Sequence, residues 1–370
     1  MTKSVAIIGT RGYPSYYGGF ETAVRYLAPY LVDQGWDVDV YSRRGATKPE
    51  DARLDPRVNV RYTRGVEMKS VSTLTYGLTA SLDAARRRPD VALVMNVANG
   101  YWLPILRAAG IPSLVNVDGI EWERAKWSGL GKAVFRRGAQ LTARYGSNLV
   151  FDAHAIGDRW KRDFNRDGFF IPYGGDAMTP GDLDPGLVPG DYVLIVARFV
   201  PENTVPEFLE AAKIIARKHD VVIVGSSGYG GPIDDAAKLL DEQEPRVRWL
   251  GHLSDDKRLA ALWQNAGAYF HGHSVGGTNP ALVQAMANKA PVVARDTVYN
   301  REVLEDAGVF VQPDPAAIAS AVIDLISDSA KRQRLIERGS ERAESIYSWE
   351  RVCASYAEAL DVTRQAVAVR

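Results

Sequence analysis

The residues best suited to chemistry cluster after apolar runs. Residues 271–287 (HGHSVGGTNPALVQAMA) join the end of a strand to the start of a helix through two adjacent glycines. Gly276 and Gly277 let a ligand approach the backbone closely. Thr278 or Asn279 can cap the helix, and Pro280 fits its first turn, where no amide donor is needed. Free amides and a helix dipole together form an anion site. Arg198 directly follows the apolar run 192–197, so its guanidinium can stand over a diphosphate. A cation and amides on one phosphate pair constitute a leaving-group site. Its structural alternative is an ordinary tight turn beside a surface arginine paired with Glu202. Gly225 ends a third apolar run, and His271 and His273 are the single close histidine pair. Spacing of two could aim both at a metal, but no carboxylate nearby completes a set.

The first half carries a second group. Residues 9–21 (GTRGYPSYYGGFE) follow the first apolar run, and residues 118–127 (DGIEWERAKW) follow another. Asp118 stands where a base for an acceptor hydroxyl would be needed, and an Asp-Gly turn capping the next helix is its structural alternative. Glu121, Trp122, Arg124, Lys126 and Trp127, with Tyr16 and Tyr17, are candidate acceptor contacts. Gly9 and Gly12 do not complete a dinucleotide fingerprint, and Asp39 lies inside the second strand rather than at its end.

These loops need a scaffold that brings strand ends together. Apolar runs at Ser4–Ile8, 36–41, 58–62, 91–95, 113–117 and 148–151 alternate with helical patterns, as a parallel sheet requires. Residues 174–191 hold five glycines and three prolines and read as a linker. The alternation restarts at 192–197, 221–224, 247–250, 268–271, 291–294 and 309–311. Helices follow at 315–327 and 330–344, and a last one from Trp349 to about Ala366. The expectation is an α/β chain of two Rossmann-like, doubly wound domains, 1–180 and 190–348. Ligands are then expected at the carboxyl ends of the strands, in a cleft between the halves.

Composition narrows the classes. Lysine plus arginine equals aspartate plus glutamate at 45 each, so no global charge draws the chain to nucleic acid. One cysteine excludes an intramolecular disulfide framework. The N-terminus lacks a signal-peptide pattern, and the longest uncharged run, 91–106, is too short to span a bilayer. A cytoplasmic protein is expected. Residues 121–145 hold six lysines or arginines against two acids among Trp122, Trp127, Leu130, Val134 and Phe135. That pattern suits a helix resting on anionic lipid at the inner face of the plasma membrane.

The motifs taken together resemble a known family. Residues 198–202 (RFVPE) followed by 276–286 (GGTNPALVQAM) are similar to the C-terminal half of glycosyltransferase family 4. Residues 8–14 (IGTRGYP), 17–22 (YGGFET), 118–128 (DGIEWERAKWS) and 271–280 (HGHSVGGTNP) resemble its bacterial rhamnosyltransferases. The resemblance covers nearly the whole chain. It implies a GT-B fold with the acceptor in the first domain and a nucleotide-sugar donor in the second. It also implies a C-terminal helix, 349–370, that returns to the first domain. The implied activity is a retaining, metal-independent hexosyl transfer without cofactor, of L-rhamnose from dTDP-rhamnose to a lipid-linked saccharide in cell-surface polysaccharide synthesis.

The implied donor contacts are Gly18, Gly19, Arg198, Asn203, Gly225, His273, Gly276, Gly277, Thr278, Asn279 and Gln284, with Asp118 and Arg198 catalytic. The chain departs from the family at four of its positions. Gly276 and Gln284 replace two glutamates, Asn203 replaces a phosphate-binding lysine, and Asp118 replaces a histidine. Gln284 would still accept a bond from a ribose hydroxyl, but without charge, so Gln284→Glu is expected to tighten donor binding. These departures leave open a catalytically silent nucleotide-sugar-binding protein. An epimerase would need carboxylate pairs, for which only Asp118 and Glu121 offer themselves.

Overall fold

The computed structural model describes residues 2–16, 18–47, 50–67, 72–124 and 127–365. The chain divides into two compact units, one comprising Met1–Tyr173 with Trp349–Arg370 and the other Gly174–Ser348.

The first unit runs β1 (Lys3–Ile8), α1 (Gly19–Asp33), β2 (Trp36–Arg43), β3 (Asn59–Thr63), α2 (Ser72–Arg87), β4 (Val91–Met95), α3 (Leu103–Ala108), β5 (Ser113–Asn116), α4 (Gly129–Tyr145), β6 (Asn148–Phe151), α5 (His154–Phe164) and β7 (Phe169–Phe170). Its seven strands are all parallel, in the order β3-β2-β1-β4-β5-β6-β7. The order reverses between β1 and β4, so the loops after β1 and β5 both open at the carboxyl edge near that switch point. Uninterrupted apolar strands such as β4 (VALVM), buried throughout, are what a sheet covered on both faces demands.

The second unit runs β8 (Tyr192–Val196), α6 (Val205–Ile215), β9 (Asp220–Val224), α7 (Pro232–Gln243), β10 (Val247–Trp249), α8 (Asp256–Gln264), β11 (Ala268–His271), α9 (Pro280–Ala287), β12 (Val292–Arg295), α10 (Val298–Leu304), β13 (Gly308–Val311), α11 (Pro315–Ser327) and α12 (Ser329–Ile346). Its sheet is parallel in the order β10-β9-β8-β11-β12-β13. Strands β8 and β11 are therefore neighbours at the switch point.

The final helix, α13 (Trp349–Gln365), belongs to the first unit. Trp349 stacks on Tyr26 with ring centroids 4.5 Å apart. Tyr356 accepts a 2.6 Å hydrogen bond from Asn116. Val352, Cys353, Ala359 and Leu360 are buried in the core built on β1, β2 and α1.

Two sequence expectations change. The glycine- and proline-rich stretch 174–191 is not a free linker but the start of the second unit. Met178 N donates to Asn288 at 3.0 Å, Arg258 grips Asp184 with bonds of 2.8 and 2.6 Å, and Leu187 is buried. The first unit accordingly ends at Tyr173, short of residue 180. Helices α5, α7 and α10 had no counterpart in the sequence reading. Alpha5 buries little beyond Ile156 and Trp160, and α10 is only seven residues long, so neither offers a sustained apolar stripe.

Candidate functional site

In the second unit, Arg198 leaves the end of β8 with its side chain exposed. Among the described residues its guanidinium has no hydrogen-bond or ion-pair partner, so the expected alternative pairing with Glu202 is not made. The backbone around it is pinned instead. Asn203, 3% exposed, donates from Nδ2 to the Arg198 carbonyl at 2.9 Å. Asn203 had been expected to face the donor. Its side chain turns inward and sets the loop that carries Arg198.

Two further contacts join this loop to the one after β11. Ser274 donates from its amide and its hydroxyl to the Glu202 carbonyl at 3.0 and 2.7 Å. Thr204 donates to the Gly272 carbonyl at 2.5 Å. A Cβ on Gly272 would lie 2.3 Å from the Asn203 carbonyl. Gly225 has a comparable steric duty. Its φ is +127°, and an added Cβ would meet the Ala197 carbonyl at 1.8 Å, directly before Arg198. Its amide and carbonyl are bound by Gly251 O at 2.7 Å and Trp249 Nε1 at 2.8 Å.

After β11 the chain passes through Gly276, whose φ is +97° and whose missing side chain would face open space. The amides of Gly276 and Gly277 have no partner among the described residues, and Gly277 and Thr278 are buried. Asn279 caps α9, its Oδ1 accepting from Ala281 N at 3.0 Å. Unpaired amides, a capped helix start and an exposed arginine on the adjacent strand form the arrangement that binds anions.

One turn into α9, Gln284 donates from Nε2 to the Asp176 carbonyl at 2.5 Å. Only its oxygen remains as an acceptor. His273 stacks on His271 with centroids 4.4 Å apart, and His271 shares a 3.1 Å bond with Tyr269. Burial, and then the neighbouring His273, hold the His271 imidazole well below its usual pKa. Among the described residues no group of three or more His, Cys, Asp or Glu is placed to hold a metal ion.

In the first unit Asp118 follows β5 with φ +62°, a left-handed conformation uncommon for a residue with a side chain. Its amide is held by Asn116 Oδ1 at 2.9 Å, and its Oδ2 accepts from Asn96 Nδ2 at 3.1 Å. Asn96 is itself left-handed, with φ +70°. The two left-handed residues are held to each other by their side chains, and Asn96 also accepts from Ala98 N at 2.9 Å.

Several acceptor candidates turn inward. Glu121, 3% exposed, accepts from Arg124 at 2.6 Å and from Trp127 Nε1 at 2.9 Å. Trp122 packs edge-on against Trp160 and Phe164 in the unit's own interior. The carboxylate of Glu121 and the ring of Trp122 therefore support this segment, while Arg124 and Trp127 remain half-buried at its surface. Tyr16 is exposed, donates to Asp51 at 2.9 Å and lies 4.3 Å from the Arg25 guanidinium. Gly18 caps α1, and Gly19 sits against the Tyr173 ring, where a Cβ would come within 3.1 Å. Tyr17 and Lys126 lie outside the described residues.

Tyr173 and Asp152, which lie outside the motifs, join Asp118 and the motif residue Glu21 in one electrostatic neighbourhood. Tyr173 is buried, and its hydroxyl is raised well above the usual pKa by that burial and then by Asp118, Asp152, Tyr356 and Glu21. Glu21 is buried and accepts from Arg11 N at 3.0 Å. Asp152 directly follows β6, as Asp118 nearly follows β5, and that position after an apolar run was a readable signal.

Comparisons with known proteins agree with this architecture. Residues 18–173 match the family described as Glycosyl transferase 4-like domain, and residues 188–342 match Glycosyl transferases group 1. The chain is 27% identical to the O-antigen chain mannosyltransferase B of Escherichia coli, over 43% of this chain and 42% of that protein. It is 27% identical to the MMP alpha-(1->4)-mannosyltransferase of Mycolicibacterium hassiacum, over 95% and 96%. Three of the curated relatives are matched over less than half of their length. Among solved structures, sucrose-phosphate synthase from Thermosynechococcus elongatus superposes with TM-score 0.81 at 19% identity, covering all of both chains. Anabaena HepE in complex with UDP gives TM-score 0.75 at 17% identity, covering 97% of this chain and all of that one. With two parallel-sheet units of GT-B type, matched in order by the two transferase models, the chain carries a Glycosyl transferase 4-like domain followed by a Glycosyl transferases group 1 domain.

Proposed function

We propose that this protein transfers a sugar from a nucleoside-diphosphate donor to a glycan acceptor, with the donor on the second unit and the acceptor on the first. The observation that carries the donor half is Arg198, whose exposed guanidinium has no anion partner among the described residues and whose backbone is held by Asn203, on the strand next to the one that leads to the amides of Gly276 and Gly277. As the glycosidic bond to the diphosphate breaks, negative charge grows on the leaving oxygen. A preorganised cation and amides stabilise that charge more in the transition state than in the ground state. The arrangement supplies this neutralisation from the chain's own groups, and the reaction is read as metal-independent and retaining.

Gln284 offers its oxygen to a donor ribose hydroxyl, and His273 stands beside the sugar. Asp118, held in its left-handed turn, is the candidate base for the acceptor hydroxyl. UDP in the Anabaena HepE structure supports a pyrimidine nucleotide. The motifs at 8–14, 118–128 and 271–280 favour rhamnose, with dTDP-rhamnose the donor. The mannosyltransferase relatives make a mannosyl donor the comparison to run beside it.

The acceptor is read as a lipid-linked saccharide, reached at the inner face of the plasma membrane. Leu130 at the start of α4 is 79% exposed beside the basic Lys132, Arg136 and Arg137, which suits a helix resting on anionic headgroups.

The test is donor consumption with and without acceptor, comparing wild type with Arg198→Ala. Turnover is expected to fall about a hundredfold or more in the variant. A near-wild-type rate would remove Arg198 from the diphosphate. Product formed with a mannosyl donor alone would overturn the rhamnosyl assignment.

A further inference from the structure

Away from the residues considered so far, the first unit contains a recess at the carboxyl ends of β1, β2 and β3. Gly9, Thr10, Arg43, Thr63, Thr73 and Tyr76 contribute to its walls, and its enclosed part is only about 10 Å3, room for one water-sized group such as a single oxygen of an anion whose remainder stays at the mouth. Arg43 is the last residue of β2 and is only 7% exposed. Among the described residues its Nε has no hydrogen-bond partner, and neither does the hydroxyl of Thr10, which is 4% exposed.

The groups around this guanidinium leave it short of an anion. Arg43 is covered by the Tyr76 ring, 4.8 Å from the guanidinium carbon. Arg11 adds a like charge, and together with burial it lowers the Arg43 pKa. The nearest acid in an ion pair is Glu67, 3.7 Å from Nη1 with a largely exposed side chain, a separation too long for a hydrogen bond. Glu21 is bound to the amide of Arg11. Among the described residues no carboxylate lines the recess.

A buried cation with an unused N–H is costly unless something pairs with it. A planar guanidinium beside a hydroxyl matches an oxyanion in both geometry and charge. We propose that Arg43 and Thr10 bind an anionic group, a phosphate or a carboxylate, carried by the acceptor. The inference rests on the reading that the first unit receives the acceptor. It adds that the acceptor is charged, and that part of its recognition comes from a fixed point beside Gly9 and the loop after β1.

The experiment titrates the full-length chain with inorganic phosphate and, separately, acetate by calorimetry, in an Arg198→Ala background so that the donor diphosphate site does not contribute. One of the two anions is expected to bind, and Arg43→Gln to weaken it about tenfold or more. Preference for phosphate identifies a phosphorylated acceptor, and preference for acetate an acidic sugar. Unchanged affinity in Arg43→Gln, or no binding of either anion, overturns the proposal. Thr10→Val, which removes one donor at nearly constant volume, reads the same site if Arg43→Gln does not fold, and a severalfold loss is expected. With an otherwise wild-type chain and a working acceptor, Arg43→Gln raises the acceptor KM while the donor KM stays constant. Anion binding at Arg43 in a chain that turns over no donor would keep this inference and overturn the transferase reading. Transfer with an unchanged acceptor KM would do the reverse.

Discussion

At the scale of single residues, Gln284 shows how a neighbour alters the meaning of a substitution. From the sequence it is a weakened glutamate, and restoring the carboxylate is expected to tighten donor binding. In the structure its amide nitrogen bonds the Asp176 carbonyl at 2.5 Å. A glutamate there would set a carboxylate against that carbonyl in place of the Nε2 donor. Gln284→Glu is therefore expected to cost about 1–3 kcal/mol in thermal or urea unfolding, with no gain in nucleoside diphosphate affinity by calorimetry. Tighter nucleotide binding at unchanged stability would restore the simpler reading. His271 gives a second residue-scale test. Folded, it is held neutral by burial and His273, whereas the unfolded imidazole takes up a proton below about pH 6.5. Below that pH the unfolded chain binds more protons, so the stability present at neutral pH is lost as pH falls, by up to ~1.4 kcal/mol per pH unit. His271→Gln is expected to flatten the dependence between pH 7.5 and 5, as measured by denaturant midpoints. An equally steep loss in the variant would place the proton uptake elsewhere. The residue types of the donor site were legible because Arg198, Gly276 and Asn279 stand beside apolar runs. The inward turns of Asn203 and Glu121 were not, because their partners Arg198, Arg124 and Trp127, although near in sequence, are brought to them by irregular loop backbone that no apolar pattern marks.

At the scale of elements, the candidate donor site consists of two loops on adjacent parallel strands, and its accuracy is that of the backbone beneath them. Gly225, at the end of the neighbouring β9, lies where the β8 loop passes so close that no Cβ fits. Gly225→Ala is expected to destabilise the protein by on the order of 3 kcal/mol. It is also expected to reduce turnover about a hundredfold by displacing Arg198, although the residue need not touch substrate. Thermal unfolding and kcat on the same preparation check this, and a stable variant with full activity would refute it. Strand positions and the alternating pattern were readable because buried parallel strands are continuous apolar runs. Alpha7 and α10 were missed because they are short crossovers covered on one side, and α7 begins after a run of glycines that reads as loop.

At the scale of the whole molecule, the chain does not build its two units one after the other. The first unit is left at Tyr173 and regained at Trp349, and the second is a continuous insertion between them. The crossing points are joined within the second unit, where Gly175 N donates to the Tyr347 carbonyl at 2.8 Å. Removing residues 349–370 takes Trp349, Val352, Tyr356 and Leu360 out of the first core. At about 1.5–3 kcal/mol for each large buried side chain, the loss is comparable with the whole stability of a domain, ~5–15 kcal/mol. The truncated chain is expected to keep one cooperative transition, that of the second unit, and to lose the other by calorimetry. Two retained transitions would show that α13 is dispensable. The return of this helix was implied by family resemblance and not by any local pattern, since nothing in its sequence says which sheet it covers.

That same helix sets when the first unit can close on the ribosome. Synthesis proceeds from the N-terminus, so the first sheet emerges early but keeps an apolar face uncovered until residues 349–365 are made. The second unit, whose chain is continuous, can close while the first still waits. From the closing of the second unit until α13 is made the nascent protein therefore carries a finished half and an unfinished one, and the uncovered face of α1, β4 and β5 is where a chaperone has most reason to bind.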